Sequence, residues 1–233
     1  MTHELVTWGL SFADRSVRPV EVALHAAPAT GRIVVMMLGW KGAIDGFARK
    51  YEKLADLLVG RGVAAVVRQG NHPIAGLPFA HSSADQLRGV VSRARAEALA
   101  LCGAEAPEIF LFGMSAGGSA VAVCAAEMAA EKVLLVAPSA DCGRDAMERG
   151  LADFTGELRV VSGDVDRVVS RQFAETVSRM APRACNTDRF VLLAGCDHQF
   201  RGEVNGRILS QSLLWAFAGD TPFPDPSRGI ELY

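Results

Sequence analysis

No charge of one sign dominates this chain: 24 lysines and arginines stand against 26 aspartates and glutamates in 233 residues. A near-neutral protein carries no electrostatic footprint for a phosphate backbone or an anionic lipid surface, so neither nucleic acid nor membrane is expected as a partner. No apolar run approaches the ~20 residues needed to span a bilayer. The opening Met1-Thr-His-Glu4 also lacks the basic segment and apolar core of an export signal. The five cysteines (Cys102, Cys124, Cys142, Cys185 and Cys196) are odd in number, scattered and mostly set in apolar runs, without metal-ligand spacing. That usage fits reduced thiols rather than a disulfide framework or a metal centre. A soluble, cytoplasmic protein with no metal site is expected. Repeats and low-complexity tracts are absent too, which removes solenoid and repeat architectures.

What the chain has is apolar content. Half of its residues are hydrophobic, enough for one α/β domain over residues 1–233 that buries roughly 70 to 75 per cent of its unfolded surface. The first forty residues read as a β meander, with Val20, Val22 and Leu24 alternating against Glu21, Ala23 and His25. Residues 33–38 are continuously apolar, as in a strand covered on both faces of a parallel sheet. Phe47, Tyr51, Leu54, Ala55 and Leu58 then recur at helical spacing, and Gly60 and Gly62 stop that helix before a strand at 63–67. A capping box from Ser83 to Gln86 opens a second helix with the stripe Leu87, Val90, Val91, Ala94, Ala98 and Leu101. Further strands are expected at 109–113, 133–136, 158–162 and 189–193, with helices near 117–130, 168–180 and 204–217. The tail from Gly219 carries Pro222, Pro224 and Pro226 and reads as an arm or a frayed end. About eight strands, the later ones alternating with helices, predict a doubly wound, mostly parallel sheet. Chemistry in such sheets collects at the carboxyl ends of the strands.

The strand at 109–113 runs into Gly113-Met-Ser115-Ala-Gly117-Gly118 and then an Ala- and Val-rich helix. A strand-to-helix junction this short is a sharp turn in which the two backbones nearly touch. Glycine on each side of the serine is what sterics demand there. The serine becomes a candidate nucleophile, although the same glycines would also suit a tightly packed turn with no chemistry. They match neither the dinucleotide-binding G-x-G-x-x-G pattern nor the phosphate loop ending in Lys and Ser or Thr.

A serine hydroxyl needs a base within hydrogen-bond reach and a carboxylate to orient that base. Of five histidines, only His198, in Gly195-Cys-Asp-His-Gln-Phe200, follows a late strand at its carboxyl end. His3 and His25 fall in the meander, while His72 and His81 lie in the loop after the fourth strand and are possible pocket residues. Two acids follow the strand at 158–162, Asp164 and Asp166. Asp166 is far enough past Gly163 to reach back toward His198; Asp164 is the alternative, and otherwise a turn or helix cap. Asp197, next to the histidine, is expected to fix its turn.

Ser115, Asp166 and His198 occur in the order nucleophile, acid, histidine, and with the elbow around Ser115 the chain resembles the α/β-hydrolase superfamily. The likeness runs over nearly the whole length and is nearest to the compact dienelactone hydrolase and small-esterase branch. It departs from dienelactone hydrolases proper in carrying Ser115 where they carry Cys. The resemblance implies an oxyanion hole from the backbone N–H groups of Ala116 and Trp40, the latter in Leu38-Gly-Trp-Lys-Gly42, where Leu38 replaces the family histidine. It also implies a serine hydrolase acting on a small carboxylic ester without a cofactor, the substrate being its small-molecule partner. Thioesterase or acyl-peptidase activity would use the same groups, and a non-catalytic scaffold binding a small ligand is a reading of another class. Only about twenty residues separate the strands near 136 and 158, too few for a helical lid, so an open site is expected. Its walls are expected from Trp40, Met114, the loop 70–81 with His72 and Phe79, and the segment 138–154. The apolar groups suit an acyl or alkyl pocket, whereas Arg144 and Arg149 would suit a carboxylate.

Overall fold

The computed structural model describes residues 3–219 and residue 232. The proline-bearing tail beyond Gly219 lies outside the described residues, apart from Leu232.

In chain order the elements are β1 (Glu4–Ser11), β2 (Val17–His25), β3 (Arg32–Met37), α1 (Lys50–Gly60), β4 (Ala65–Gln69), α2 (Phe79–Ala96), α3 (Ala98–Cys102) and β5 (Glu108–Met114). They continue as α4 (Ala116–Cys124), β6 (Lys132–Val136), α5 (Arg144–Ala152), β7 (Glu157–Gly163), α6 (Arg171–Arg179), β8 (Phe190–Leu193) and α7 (Glu203–Phe217). The eight strands form one sheet in the order β1-β2-β4-β3-β5-β6-β7-β8. The meander β1–β2 and the β2–β4 pair are antiparallel, and every pair from β4–β3 onward is parallel.

The continuous apolar runs follow from burial on both faces, since successive strand side chains point to opposite sides. Along β3, Ile33, Val35 and Met37 join one core with residues of α2, α4, α5 and α6. Val34 and Met36 join the other, beneath α1 and α7. β5 divides the same way, Ile109 and Leu111 against Phe110, Phe112 and Met114. Among the described residues no helix is long and apolar enough to cross a membrane.

Two sequence expectations are corrected here. The helix bearing Leu87 and Val90 begins at Phe79, one turn earlier than a capping box at Ser83 requires, after Pro78 with its φ of −57°. Ser83 is instead buried, donating to Asn71 Oδ1 at 3.0 Å, and Gln86 donates to Gln69 Oε1 and to the Gly70 carbonyl. Of the segment 138–154, the start lies against the elbow, with the Ser139 N–H donating to the Ser115 carbonyl at 3.2 Å, but none of it lines the hollow beside Ser115. Its helix, α5, turns Met147 and Leu151 into the core shared with α4, so it covers the sheet rather than the strand ends. Among the described residues the connection from β6 to β7 holds α5 alone and no inserted lid.

The chain leaves β3 for β4 on one side and later returns to β5 on the other. Loops diverge at such a reversal and open a crevice at the carboxyl ends of β3 and β5. That crevice receives the Leu38–Gly42 loop and the turn carrying Ser115.

Candidate active site

Ser115 joins β5 to α4 with φ 52° and ψ −121°, a conformation that costs a non-glycine residue ~1–3 kcal/mol and persists only where its surroundings enforce it. They do so from both sides. A Cβ on Gly113 would lie 2.6 Å from Gly118 Cα, and one on Gly117 would lie 2.6 Å from the Met37 carbonyl carbon. The elbow can therefore close only with glycine at both positions. The Ser115 N–H donates to the Val136 carbonyl at 2.9 Å, pinning the turn to β6.

His198 and Asp166 meet this serine. His198 Nε2 is 3.0 Å from Ser115 Oγ, and His198 Nδ1 is 2.8 Å from Asp166 Oδ2. The Asp166 side chain is fully buried, its Oδ1 accepting from the Val168 and Val169 N–H groups at 2.7 and 2.9 Å. A carboxylate so engaged can only accept, so the imidazole proton sits on Nδ1 and Nε2 is left to accept from the serine hydroxyl. Asp164 is turned elsewhere: its Oδ1 accepts from the Gly195 N–H at 2.7 Å and ties the two loops together. Asp197 Oδ1 accepts from the Gln199 and Arg201 N–H groups, fixing the turn of the histidine loop. These loops are pressed close because β7 ends in Gly163, where a Cβ would stand 2.5 Å from the Cys196 carbonyl carbon.

The opposite wall is the loop after β3. Gly39 passes so near that a Cβ on it would lie 3.9 Å from Ser115 Oγ. Among the described residues neither the Trp40 nor the Ala116 N–H has a hydrogen-bond partner. Buried Asn71 holds this loop, donating through Nδ2 to the Leu38 carbonyl at 2.9 Å and accepting at its own carbonyl from the Lys41 N–H. Farther along, Arg68 on β4 is fully buried and bridges His25 Nε2, the Ile44 carbonyl and Asp45. Burial, reinforced by the Arg68 charge, pushes the His25 imidazole down to about 3.

A hollow of about 240 Å³ opens beside Ser115, lined by Gly39, Trp40, Phe47, Tyr51, Met114 and Gln199 together with Lys50. Tyr51 Oη donates to Met114 Sδ at 2.8 Å, fixing the residue that precedes the serine. Of the expected walls, Met114 and Trp40 line this hollow. Phe79 stands 6.0 Å from the Trp40 ring, centroid to centroid, outside the hollow. His72 lines a separate hollow of about 400 Å³ with Pro19, Ile44 and Ile74. That larger cavity holds no nucleophile. Arg144 and Arg149 are exposed on α5 and reach neither.

Sequence reading missed Asn71 and Lys50. Asn71 sits in a loop with no periodicity to mark it. Lys50 precedes Leu54 by four and Leu58 by eight, so a lysine continuing the apolar stripe of α1 was the available signal.

No protein-family model and no curated protein matches the chain by sequence. By structure it is similar to the esterase domain of a Rhodothermus marinus protein, with a TM-score of 0.68 at 14% identity over 90% of this chain and 95% of that one. A Xanthomonas campestris α/β serine hydrolase without a lid superposes with a TM-score of 0.62 at 18% identity, over 92% of this chain and 94% of that one. Esterase 2 of Thermogutta terrifontis, in a structure phosphorylated by paraoxon, gives 0.66 at 15% identity over 91% of each chain. With its strand order, its elbow and its lack of a lid, the chain has the α/β-hydrolase fold.

Proposed function

We propose that the chain is a serine hydrolase that cleaves a small carboxylic ester through an acyl-enzyme. The observation that carries this reading is the unbroken relay Asp166 to His198 to Ser115, at 2.8 and 3.0 Å, on a residue held in a strained turn. Ser115 Oγ attacks the ester carbonyl as its proton passes to His198 Nε2, and Asp166 stabilises the imidazolium that forms. His198 then returns the proton to the leaving alcohol. Water, deprotonated by the same imidazole, releases the acid and restores the hydroxyl.

The oxyanion is received by the Ala116 N–H at the start of α4 and by the Trp40 N–H. Each is aimed from backbone that other contacts hold, so little reorganisation accompanies charge development; one such donor is worth about 10²- to 10³-fold in rate. The groups of the chain complete the cycle without a cofactor. The esterases similar to this chain in structure support the same chemistry.

The test is turnover of 4-nitrophenyl acetate and butyrate, with a matched thioester and anilide alongside. Wild-type protein is expected to prefer the oxygen esters, and Ser115→Ala and His198→Ala to lose at least ~10³-fold in kcat while remaining folded. Equal turnover by Ser115→Ala would overturn the proposal.

A further inference from the structure

The acyl-transfer cycle leaves one charged group of the Ser115 hollow unused. Lys50 is only 2% exposed, and among the described residues no carboxylate lies within 4.0 Å of its ammonium. Its polar contacts are the Gln199 carbonyl, 3.1 Å from Nζ, and the face of Tyr51, whose ring centroid is 4.8 Å away. One carbonyl and one ring face satisfy part of a group with three N–H donors. Taking an ammonium out of water without an anionic partner is costly, and buried charges in proteins are normally paired. Burial pulls the Lys50 amine down to about 8, partly offset by the Asp197 carboxylate at longer range.

Apart from the Ser115 hydroxyl and the Gln199 amide the remaining walls are aromatic, aliphatic or backbone, and none of the lining residues is anionic, so a counter-charge for Lys50 would come with the ligand. We propose that Lys50 determines the specificity of this hollow by receiving a carboxylate carried by the ester substrate, in addition to the ester group that meets Ser115. One cation suits a single negative charge. A phosphate monoester would bring up to two charges and three oxygens into a hollow with one cationic side chain, which leaves it poorly matched. The proposal rests on the esterase reading of Ser115 and assigns its substrate class. It also places the carboxylate-binding cation on α1, not at Arg144 or Arg149.

The experiment compares 4-nitrophenyl hemisuccinate and hemiglutarate with their methyl-capped neutral counterparts, and 4-acetoxybenzoate with its methyl ester, so that the anion is offered on either side of the scissile bond. For at least one pair, wild-type kcat/KM should favour the anion ~10- to 100-fold, mainly through KM, the range expected for a charge-assisted hydrogen bond. Lys50→Met should bring that ratio to about one. Equal rates for both members of every pair in wild type, or a ratio unchanged by Lys50→Met, would overturn the proposal. So would a uniform loss of kcat on charged and neutral esters alike, which would make Lys50 a brace for the histidine loop through Gln199. Calorimetric titration of monomethyl glutarate into Ser115→Ala, with and without Lys50→Met, reads the same contact without turnover. Binding abolished by Lys50→Met is the expected result, and it would stand even if wild type failed to hydrolyse esters. Binding equal in the two proteins would refute the Lys50 role alone.

Discussion

Adding one methyl group at Gly163 separates the acid from the base without touching either. A Cβ there would lie 2.5 Å from the Cys196 carbonyl carbon and closer still to its oxygen, where ordinary contact begins at 3.4 Å. Both partners are backbone, so no side chain can swing aside; relieving the carbon contact alone takes about 0.9 Å, and the nearer oxygen more, between the end of β7 and the loop after β8. Asp166 is three residues beyond Gly163 and His198 two beyond Cys196, so that gap falls across the 2.8 Å hydrogen bond between them. Misplacing catalytic groups by about 1 Å costs on the order of 10²-fold, while overpacking of this kind costs ~1–3 kcal/mol of stability. Gly163→Ala is therefore expected to lose ~10²-fold in kcat on 4-nitrophenyl acetate, with a smaller change in KM because, of the residues lining the hollow, Gln199 alone among the described residues belongs to the displaced loop. Thermal melting and far-UV circular dichroism would show that the population assayed is folded. A folded Gly163→Ala protein within threefold of wild-type kcat would refute the reasoning.

Asp166→Asn should lower kcat by ~10³- to 10⁴-fold, because an amide no longer holds the imidazole in the tautomer that accepts from Ser115; Asp164→Asn, which disturbs only the Gly195 contact, should stay within about tenfold. The opposite ranking in steady-state assays would move the acid role to Asp164. Lys50→Met should stabilise the fold by up to about 3 kcal/mol at neutral pH in urea unfolding, from a shift between 10.5 and about 8. The lysine penalty is fully present below pH 8, where both states are charged, and fades as pH rises to 10.5; a destabilised Lys50→Met protein would contradict this. His25 binds its proton in the unfolded chain near pH 6.5 but in the fold only near 3. Its contribution is intact above 6.5 and is lost as pH falls, at up to ~1.4 kcal/mol per unit, levelling off near pH 3. Urea unfolding of wild type against His25→Gln between pH 7 and 4 should show the variant to be less acid-sensitive; parallel curves would count against it.

The sequence made the sheet legible where burial acts on every residue. β3, β5, β6 and β7 are covered on both faces, so their apolar runs stand out within a residue or two of the observed bounds. The elbow was legible for a steric reason, since glycines at 113 and 117 are required by backbone contacts no other residue permits. Local signals misled where tertiary contacts outweighed them. Ser83 and Gln86 have capping-box spacing, yet their polar groups are drawn to Asn71, Gln69 and Gly70 in the loop beneath. His72 shares that loop with the residues bracing the site but faces the other hollow. Asp164 and Asp166 differ in which partner a two-residue step brings into reach, Gly195 or His198, and the distance past Gly163 was the one local signal that favoured Asp166.

The most direct measurement is covalent labelling of the nucleophile. Incubation with paraoxon or a fluorophosphonate, followed by intact-mass and peptide analysis, is expected to give one adduct per chain, on the peptide carrying Ser115. The adduct should vanish in Ser115→Ala and form far more slowly in His198→Ala. A folded wild-type protein that stays unlabelled, or one modified at another residue with Ser115 untouched, would contradict the assignment of Ser115 as the activated hydroxyl.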